Sequence, residues 1–281
     1  MNRISFTKMH GAGNDFILID DRAGQFPAHD YMRMATFAAR RTGVGCEGII
    51  LLQASATADF KMVFFNPDGT EADLCGNGTR CVAAFAHEIG VSKGKSMTFE
   101  TRAGIVDAEV LDRNRVRVWL PEPKNRRYGL EVEVDGRIVK GDFIVTGVPH
   151  FVVPCESAVS VDVDTLGRAL RLSPVFAPEG TNVDFVQWLS PDRAVMRTYE
   201  RGVEAESGAC GTGAAAVAVI GVEVHGKSSP MHIRTGGGFD LVIESDFRHG
   251  RVTGIILTGP VKKVYEGVID FDDIEIPNEM N

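Results

Sequence analysis

The chain has 281 residues, 44% of them hydrophobic, which is enough for two domains of ordinary size with real cores. Its 38 acidic and 30 basic side chains give a formal net charge of −8 without a Lys- or Arg-rich run, which argues against a nucleic-acid partner. The chain has neither an apolar leader nor a run of eighteen apolar residues, so we expect a cytoplasmic protein that does not enter a membrane.

Taken in chain order, the hydrophobic pattern predicts both helices and strands. Amphipathic spacing predicts helices over residues 30–41 and 162–171. Two nearly continuous apolar runs after glycines, residues 79–89 and 213–224, predict helices that are buried on all sides. β-Branched and aromatic runs bounded by Gly, Pro or Asp predict strands, and they include FKMVFF (60–65), FIVTGVPHFVV (143–153), VDFVQWL (183–189) and RVTGIIL (251–257).

The second half of the chain repeats the first at a shift of about 135 residues, and this shift places Cys75 on Cys210. We therefore predict an α+β fold of two pseudo-symmetric domains, each a curved sheet or barrel around a central helix, with a cleft between them. The predicted domains are residues 1–123 and 124–263. Residues 264–281 lie outside the repeat and are expected to return to the first domain as an added strand.

The five cysteines form an odd set without a Cys-x-x-Cys pair, so neither a zinc site nor a disulfide framework is predicted. Cys46, Cys81 and Cys155 are interpreted as small packing residues. Cys75 and Cys210 differ, because each precedes a Gly-x-Gly turn that opens a predicted helix.

Free amides and the positive end of the helix dipole meet at such a turn, so it can bind a carboxylate and also stabilise a thiolate. One cysteine could then remove a proton from a substrate α-carbon, while the other returns a proton to the opposite face. That reaction inverts the centre without a metal or an organic cofactor. The amides that would hold the substrate carboxylate are those of Gly76, Asn77, Gly211 and Thr212.

The same cysteines leave other interpretations open. Two facing thiols could act as a redox dithiol, although polar residues around them suit an amino-acid clamp better. The helix-end amides alone would suffice for a non-catalytic amino-acid or anion-binding protein. The glycine turns lack the Lys-Ser/Thr of a P-loop and the full Gly-x-Gly-x-x-Gly of a dinucleotide turn, so nucleotide binding is not favoured.

The motifs KMHGAGNDF, FFNPDGTEADLCGNGTRC, GTNVDFV and YERGVEAESGACGTGAAA resemble those of the diaminopimelate epimerase family, and the resemblance runs essentially end to end. It implies conversion of L,L- to meso-diaminopimelate in lysine and cell-wall precursor synthesis, with no metal, no cofactor and a homodimer.

Carried over residue by residue, the resemblance makes Cys75 and Cys210 the acid/base pair and implies that His150 assists them. Glu200 would interact with an amino group of the substrate, and Tyr265 corresponds to a position at the family's dimer contact. The distal amino-acid end of the substrate would be held by Asn14, Asn66, Asn182 and Arg201.

Three departures from the family pattern occur. Val148 stands where an asparagine is usual, which removes one expected polar contact and favours, as an alternative, a related isomerase or racemase for another amino acid. Cys46, Glu47 and Gly48 replace a small residue, an aspartate and, in some members, a glutamine. The sequence ESGAC before the second turn also differs slightly from the usual form.

Overall fold

The structure, a computed structural model, describes residues 3–72 and 74–276. The chain divides into two units, with the divisions between Val118 and Trp119 and between Gly259 and Pro260. The central residues therefore form one unit, and the two ends of the chain together form the other.

The N-terminal part of the first unit contains the elements up to β8, whose last two residues lie beyond the division. These elements are β1 (Arg3–Gly11), β2 (Asn14–Asp20), α1 (Tyr31–Ala38), β3 (Ile49–Gln53), β4 (Phe60–Phe65), β5 (Glu71–Ala72), α2 (Gly76–Glu88), β6 (Ser96–Thr101), β7 (Gly104–Asp112) and β8 (Arg115–Leu120).

The second unit repeats this succession of elements after one additional strand, β9, at its start. They are β9 (Lys124–Val134), β10 (Arg137–Val145), β11 (Pro149–Pro154), α3 (Val163–Arg171), β12 (Asn182–Ser190), β13 (Arg193–Glu200), β14 (Ala205–Ser207), α4 (Gly211–Glu223), β15 (Met231–Thr235), β16 (Asp240–Arg248) and β17 (Arg251–Pro260).

The last strand, β18 (Lys262–Asp270), pairs antiparallel with β1 in the first unit. That unit has the strand order β18-β1-β2-β3-β4-β6-β7-β8, and the second has β9-β10-β11-β12-β13-β15-β16-β17. The parallel pairs also correspond, since β2–β3 and β4–β6 match β11–β12 and β13–β15. The predicted α+β fold with two pseudo-symmetric domains is therefore confirmed.

Helices α2 and α4 are the central helices of their units, and most of their residues are buried. Helix α2 packs against β1, β2, β3, β4 and β7, while α4 packs against β10, β11, β12 and β16. A helix that is apolar on every side needs such enclosure, because no face of it can be left in water. Both predicted helices are present and are buried over most of their length, although His87 and Glu88 at the end of α2 are exposed.

Helices α1 and α3 contribute to a second core in each unit. Met34 and Phe37 of α1 pack with Phe6 and Phe271, and Leu170 of α3 packs in the corresponding core of the second unit. Both helices begin at an aspartate, Asp30 or Asp162, whose side chain accepts a hydrogen bond from the backbone N–H three residues on.

The apolar run at 143–153 forms two strands, where the sequence pattern suggested one. Gly147 has a φ of +94°, and the backbone N–H of Thr146 donates to the Val148 carbonyl at 3.1 Å, which closes a tight turn. The turn lets β10 and β11 pair antiparallel and places His150 at the start of β11. Within the described ranges, no helix is long and apolar enough to cross a bilayer.

Candidate active site

Cys75 and Cys210 occupy the same position in the two units, immediately before the first residue of α2 and of α4. Both have extended backbone conformations, with φ/ψ of −131°/115° and −113°/112°. Within the described chain, neither side chain makes a capping hydrogen bond to its helix, whereas Asp30 does so at α1. In each helix, the first-turn N–H groups that a capping side chain would accept from lie beside a thiol, and they can donate hydrogen bonds to an anion.

Cys75 lies in a small polar cluster of the first unit. Its Sγ donates to Oδ1 of Asn14 at 3.6 Å, and Nδ2 of Asn77 donates to the same oxygen at 3.3 Å. Nδ2 of Asn14 donates to the Glu47 carboxylate, which fixes the orientation of the amide and turns its oxygen towards Cys75. The structure thus brings together three predicted residues, and Glu47 is an addition that sequence reasoning noted only as a departure.

Asn66 lies in the turn that follows β4. Its backbone N–H donates to the Thr70 carbonyl at 2.8 Å, and its Nδ2 donates to Thr70 Oγ1 at 3.1 Å. The described hydrogen bonds of Asn66 therefore stay within its own turn.

Arg80, on the second turn of α2, is fully buried. Its guanidinium folds back to the start of the helix, where Nη1 donates to the Gly76 carbonyl at 3.0 Å and Nη2 to Asn77 Oδ1 at 2.7 Å. Sequence reasoning missed this residue, although a charged side chain inside the apolar run TRCVAAFA was a signal that could have revealed it.

In the second unit, a chain of hydrogen bonds leads away from Cys210. Its Sγ lies 3.4 Å from Thr212 Oγ1, which in turn lies 2.9 Å from Nε2 of His150. Nδ1 of His150 lies 2.8 Å from Oδ2 of Asp184. Because a carboxylate only accepts, Nδ1 carries the proton, and Nε2 can accept from the threonine hydroxyl.

Asp184 is fully buried in β12, where it also accepts from Thr198 Oγ1 at 2.7 Å. The parallel pairing of β11 with β12 sets His150 opposite Asn182, so Asp184 lies two residues further along the neighbouring strand. Gly213 makes room for its carboxylate, because a Cβ there would lie 2.4 Å from Asp184 Oδ1. An acidic residue within the apolar run NVDFV was the sequence signal for this residue, which was missed.

The Cys210 thiol is buried, and burial raises its pKa well above the ordinary value. The negative charges of Glu200 and Asp184 raise the pKa further, while hydrogen bonds with Thr212 and the Gly213 backbone oppose this shift. Cys210 is therefore a protonated thiol at neutral pH. Glu200, which the family resemblance assigns to a substrate amino group, therefore also acts electrostatically on Cys210.

The Asn182 side chain connects the backbone next to His150 with the backbone at Arg201. Its Nδ2 donates to the Pro149 carbonyl at 3.0 Å, and its Oδ1 accepts from the backbone N–H of Arg201 at 2.8 Å. The Arg201 guanidinium donates through Nη1 to the Glu179 carbonyl at 2.9 Å. Asn182 therefore holds the backbone at Arg201 next to the strand that carries His150.

The other cysteines are free thiols with packing environments. Burial raises the pKa of Cys46 to about 11 and also raises that of Cys81. Sγ of Cys155 donates to the Val186 carbonyl at 3.4 Å. Among the residues that the structure describes, no group of three or more His, Cys, Asp or Glu side chains is arranged to hold a metal ion.

The sequence and the fold were compared with those of known proteins. The family model for diaminopimelate epimerase matches residues 6–124 and 143–264. A diaminopimelate epimerase of Aquifex aeolicus is 43% identical over 97% of this chain and 100% of its own length, and one of Hydrogenobaculum is 37% identical over 95% and 98%. A phenazine biosynthesis protein of the PhzF family from Bacillus anthracis has the same fold, with a TM-score of 0.71 and 17% identity over 96% of this chain and 99% of its own.

Proposed function

The chain belongs to the diaminopimelate epimerase family, and from this premise we propose that it converts L,L-2,6-diaminopimelate to meso-diaminopimelate. The reaction inverts one α-carbon, and it supplies lysine and cell-wall precursor synthesis. The observation that carries the proposal is the position of Cys75 and Cys210, each at the start of a buried helix in one of two matching units.

Two thiols and two sets of amides suit the inversion of an α-carbon next to a carboxylate. One cysteine, as a thiolate, removes the α-proton, and the other, as a thiol, donates a proton to the opposite face of the same carbon. The amides of Gly76, Asn77, Gly211 and Thr212 would bind the α-carboxylate, where negative charge grows as the proton leaves. The raised pKa of the buried Cys210 suits it to the role of proton donor, with Cys75 as the base.

His150 assists Cys210 through Thr212. The imidazole, oriented by Asp184, holds the threonine hydroxyl next to the thiol. When Cys210 gives up its proton, that hydroxyl can turn from Nε2 to donate to the new thiolate. His150 thus acts on the proton transfer without touching the cysteine.

We assign the distal amino-acid end of the substrate to the polar residues that the family resemblance implies. Arg201 would pair with the distal carboxylate in two-pronged fashion, and Glu200 with an amino group. The partly buried position of both side chains supports this assignment, since an ion pair shielded from water is stronger than one in solution. The amides assigned to the same end are those of Asn14, Asn66 and Asn182.

Isotope exchange tests the reaction directly. Incubation with L,L-diaminopimelate in heavy water, under reducing conditions, should place one solvent deuterium on the inverted α-carbon, as measured by mass spectrometry. Absence of exchange at any pH at which the protein is folded would rule out the proposed activity.

Substitution of the two cysteines tests their roles. Cys75→Ser and Cys210→Ser should each lower kcat by about a thousandfold or more, because a serine hydroxyl is a poor acid and base at neutral pH. Substrate affinity, measured by calorimetry, should be kept. Cys155→Ser is the matched control, since a hydroxyl can keep its bond to Val186 and the residue is far along the chain from both turns.

The turn at Val148 favours one rival activity, the isomerisation of another amino acid. Val148 lies two residues before His150 and presents a hydrocarbon side chain where a polar contact to diaminopimelate is usual in the family. A panel of amino acids followed by polarimetry separates the two activities: a higher kcat/KM for a monocarboxylic amino acid than for L,L-diaminopimelate would favour the rival.

We also propose that the enzyme is a homodimer. Strand β18 carries three exposed apolar side chains, with Val264 55%, Tyr265 44% and Val268 54% exposed, and the Tyr265 ring packs edge-on against Phe6. Apolar surface of this kind on a strand that pairs with β1 suits a second copy of the chain. Sedimentation of the wild type should give a dimer mass and Tyr265→Asp a monomer mass; a wild-type monomer at micromolar concentration would refute the proposal.

The proposed location is the cytoplasm. Its reducing conditions keep thiols free, and an oxidised cysteine has no proton to move.

A further inference from the structure

Arg80 is an unusual side chain, because it is fully buried and has no acidic partner among the residues that the structure describes. A guanidinium keeps its proton in proteins, so the helix core contains a positive charge even though burial lowers the pKa of Arg80. In the described part of the chain no carboxylate forms an ion pair with it, and Nε has no hydrogen-bond partner. Buried charges are ordinarily paired, so the position calls for a counter-charge.

The geometry of the side chain indicates where that counter-charge lies. The guanidinium bonds to Gly76 and Asn77, the two residues that follow Cys75, and so lies at the start of α2. The negative charges that raise the pKa of Arg80 are those of Cys81 and Cys75. Cys81 is buried within the helix, and burial strongly raises its pKa. Cys75 is only partly buried and lies at the start of α2, where the helix dipole favours a negative charge.

Charged groups on the strands around α2 do not serve as the partner of Arg80. On β1 and β2, Lys8 and Asp15 form an ion pair with each other at 2.6 Å, and burial lowers the pKa of His10, which keeps the imidazole neutral. Strand β3 has no charged residue, and Lys61 of β4 is partly exposed. On β7, Asp107 and Glu109 alternate with the buried positions of the strand, and Asp112 is exposed at its end, where it pairs with Arg115.

The repeat supplies an internal comparison. Helix α4 has Ala215 at the position of Arg80, and β12 has Asp184 where β3 has Ile49. The cysteine of the first unit therefore lies near a buried positive charge, while that of the second lies near a buried negative one.

We propose that Arg80 is a positioning residue for the reaction: its buried positive charge favours loss of the proton that Cys75 shares with Asn14 Oδ1, so that the resulting thiolate can accept the substrate proton. The inference rests on the proposed function for its role in turnover, but the ionisation of Cys75 can be measured without substrate. Arg80 acts only through Cys75 and the first turn of α2.

The pH dependence of alkylation tests the proposal. Intact protein is treated with iodoacetamide between about pH 5 and 10, and the modification of Cys75 is located by fragment mass spectrometry, which separates it from the other thiols. The midpoint for Cys75 in the wild type should lie below about 8.5, the value for a free cysteine. Arg80→Met should raise it by about one pH unit or more, and Arg80→Lys, which keeps the charge, should leave it within about half a unit.

Arg126→Met is the matched control, because it removes a buried guanidinium that has a carboxylate partner, Glu223, in the other unit. It should leave the Cys75 midpoint unchanged. An unchanged midpoint in folded Arg80→Met would overturn the proposal. Should that variant not fold, a wild-type midpoint at or above about 8.5 overturns it alone, and a lower midpoint kept in Arg80→Lys supports it.

The outcomes separate this inference from the proposed function. If the protein exchanges deuterium but Arg80→Met does not change the Cys75 midpoint, the role of Arg80 is refuted and the epimerase activity is supported. An Arg80-dependent midpoint in a protein that exchanges no deuterium keeps the charged pair and removes the epimerase.

Discussion

Nδ1 of His150 lies 2.8 Å from Oδ2 of Asp184, and both side chains are completely enclosed by the second unit. The carboxylate keeps the ring proton on Nδ1 and presents Nε2 to the Thr212 hydroxyl. We expect Asp184→Asn to lower kcat about 10- to 100-fold with little change in KM, because the amide no longer fixes the tautomer and orientation of the ring. Steady-state kinetics with L,L-diaminopimelate measures this effect.

The chain offers a control in a second histidine–aspartate pair, whose aspartate is buried and whose histidine is partly exposed. Oδ2 of Asp142 lies 3.1 Å from Nε2 of His225, and Oδ1 accepts from the Gly129 backbone. Asp142→Asn should reduce stability and leave kcat unchanged. Equal losses of kcat in the two variants would show that Asp184 acts only on folding.

The Thr212 hydroxyl lies between the His150 imidazole and the Cys210 thiol, whereas its backbone amide is assigned to the substrate carboxylate. Substitution of the side chain tests the hydroxyl alone. Thr212→Val removes the hydroxyl with little change of volume and should lower kcat about tenfold, roughly the effect of one lost hydrogen bond of 1 to 1.5 kcal/mol. Thr212→Ser should keep most of the activity. A wild-type kcat in Thr212→Val would contradict a role for this link.

The internal repeat made the fold predictable. The shift of 135 residues aligned Cys75 with Cys210, and α2 and α4 begin immediately after them. Continuous apolar composition was enough to predict that both helices are enclosed, because only burial stabilises such a surface. The order of the strands was not predicted, but it is the same in the two units.

The contacts around the two thiols could not be predicted in the same way. His150 and Asp184 are 34 residues apart, and they meet because β11 and β12 pair in one particular register, which the packing of whole strands decides. The retraction of Arg80 to the start of its helix depends on the rotamer that the surrounding core permits. Glu47 stands where the family pattern has another acid, and only its hydrogen bond to Asn14 reveals its position.

The high pKa of Cys210 gives a pH-dependent prediction. Burial raises this pKa most, and the charge of Glu200 adds to it, so neutralising Glu200 should lower the pKa. In Glu200→Gln, alkylation of Cys210 should therefore begin at lower pH and be faster at pH 8 than in the wild type. Glu204→Gln, which removes a carboxylate that pairs with Arg171 instead, should not change the profile. Slower alkylation in Glu200→Gln would contradict the proposed electrostatic contact.

The repeat also supplies a stability test, since Glu223 and Glu88 are equivalent residues at the ends of α4 and α2. Glu223 is only 3% exposed and accepts from Arg126 Nε at 3.0 Å, from the Val252 N–H at 2.6 Å and from the Tyr128 hydroxyl. Glu88 is 46% exposed and pairs with Lys263 at the surface.

Glu223→Gln leaves the Arg126 guanidinium buried without its counter-charge, so it should lower the free energy of unfolding by about 3 kcal/mol. Glu88→Gln should lower it by less than about 1 kcal/mol, because water and salt already screen an exposed pair. Urea denaturation of both variants measures the difference. If the two variants lost the same free energy of unfolding, burial of Glu223 would not make its ion pair with Arg126 more stabilising than the exposed pair of Glu88.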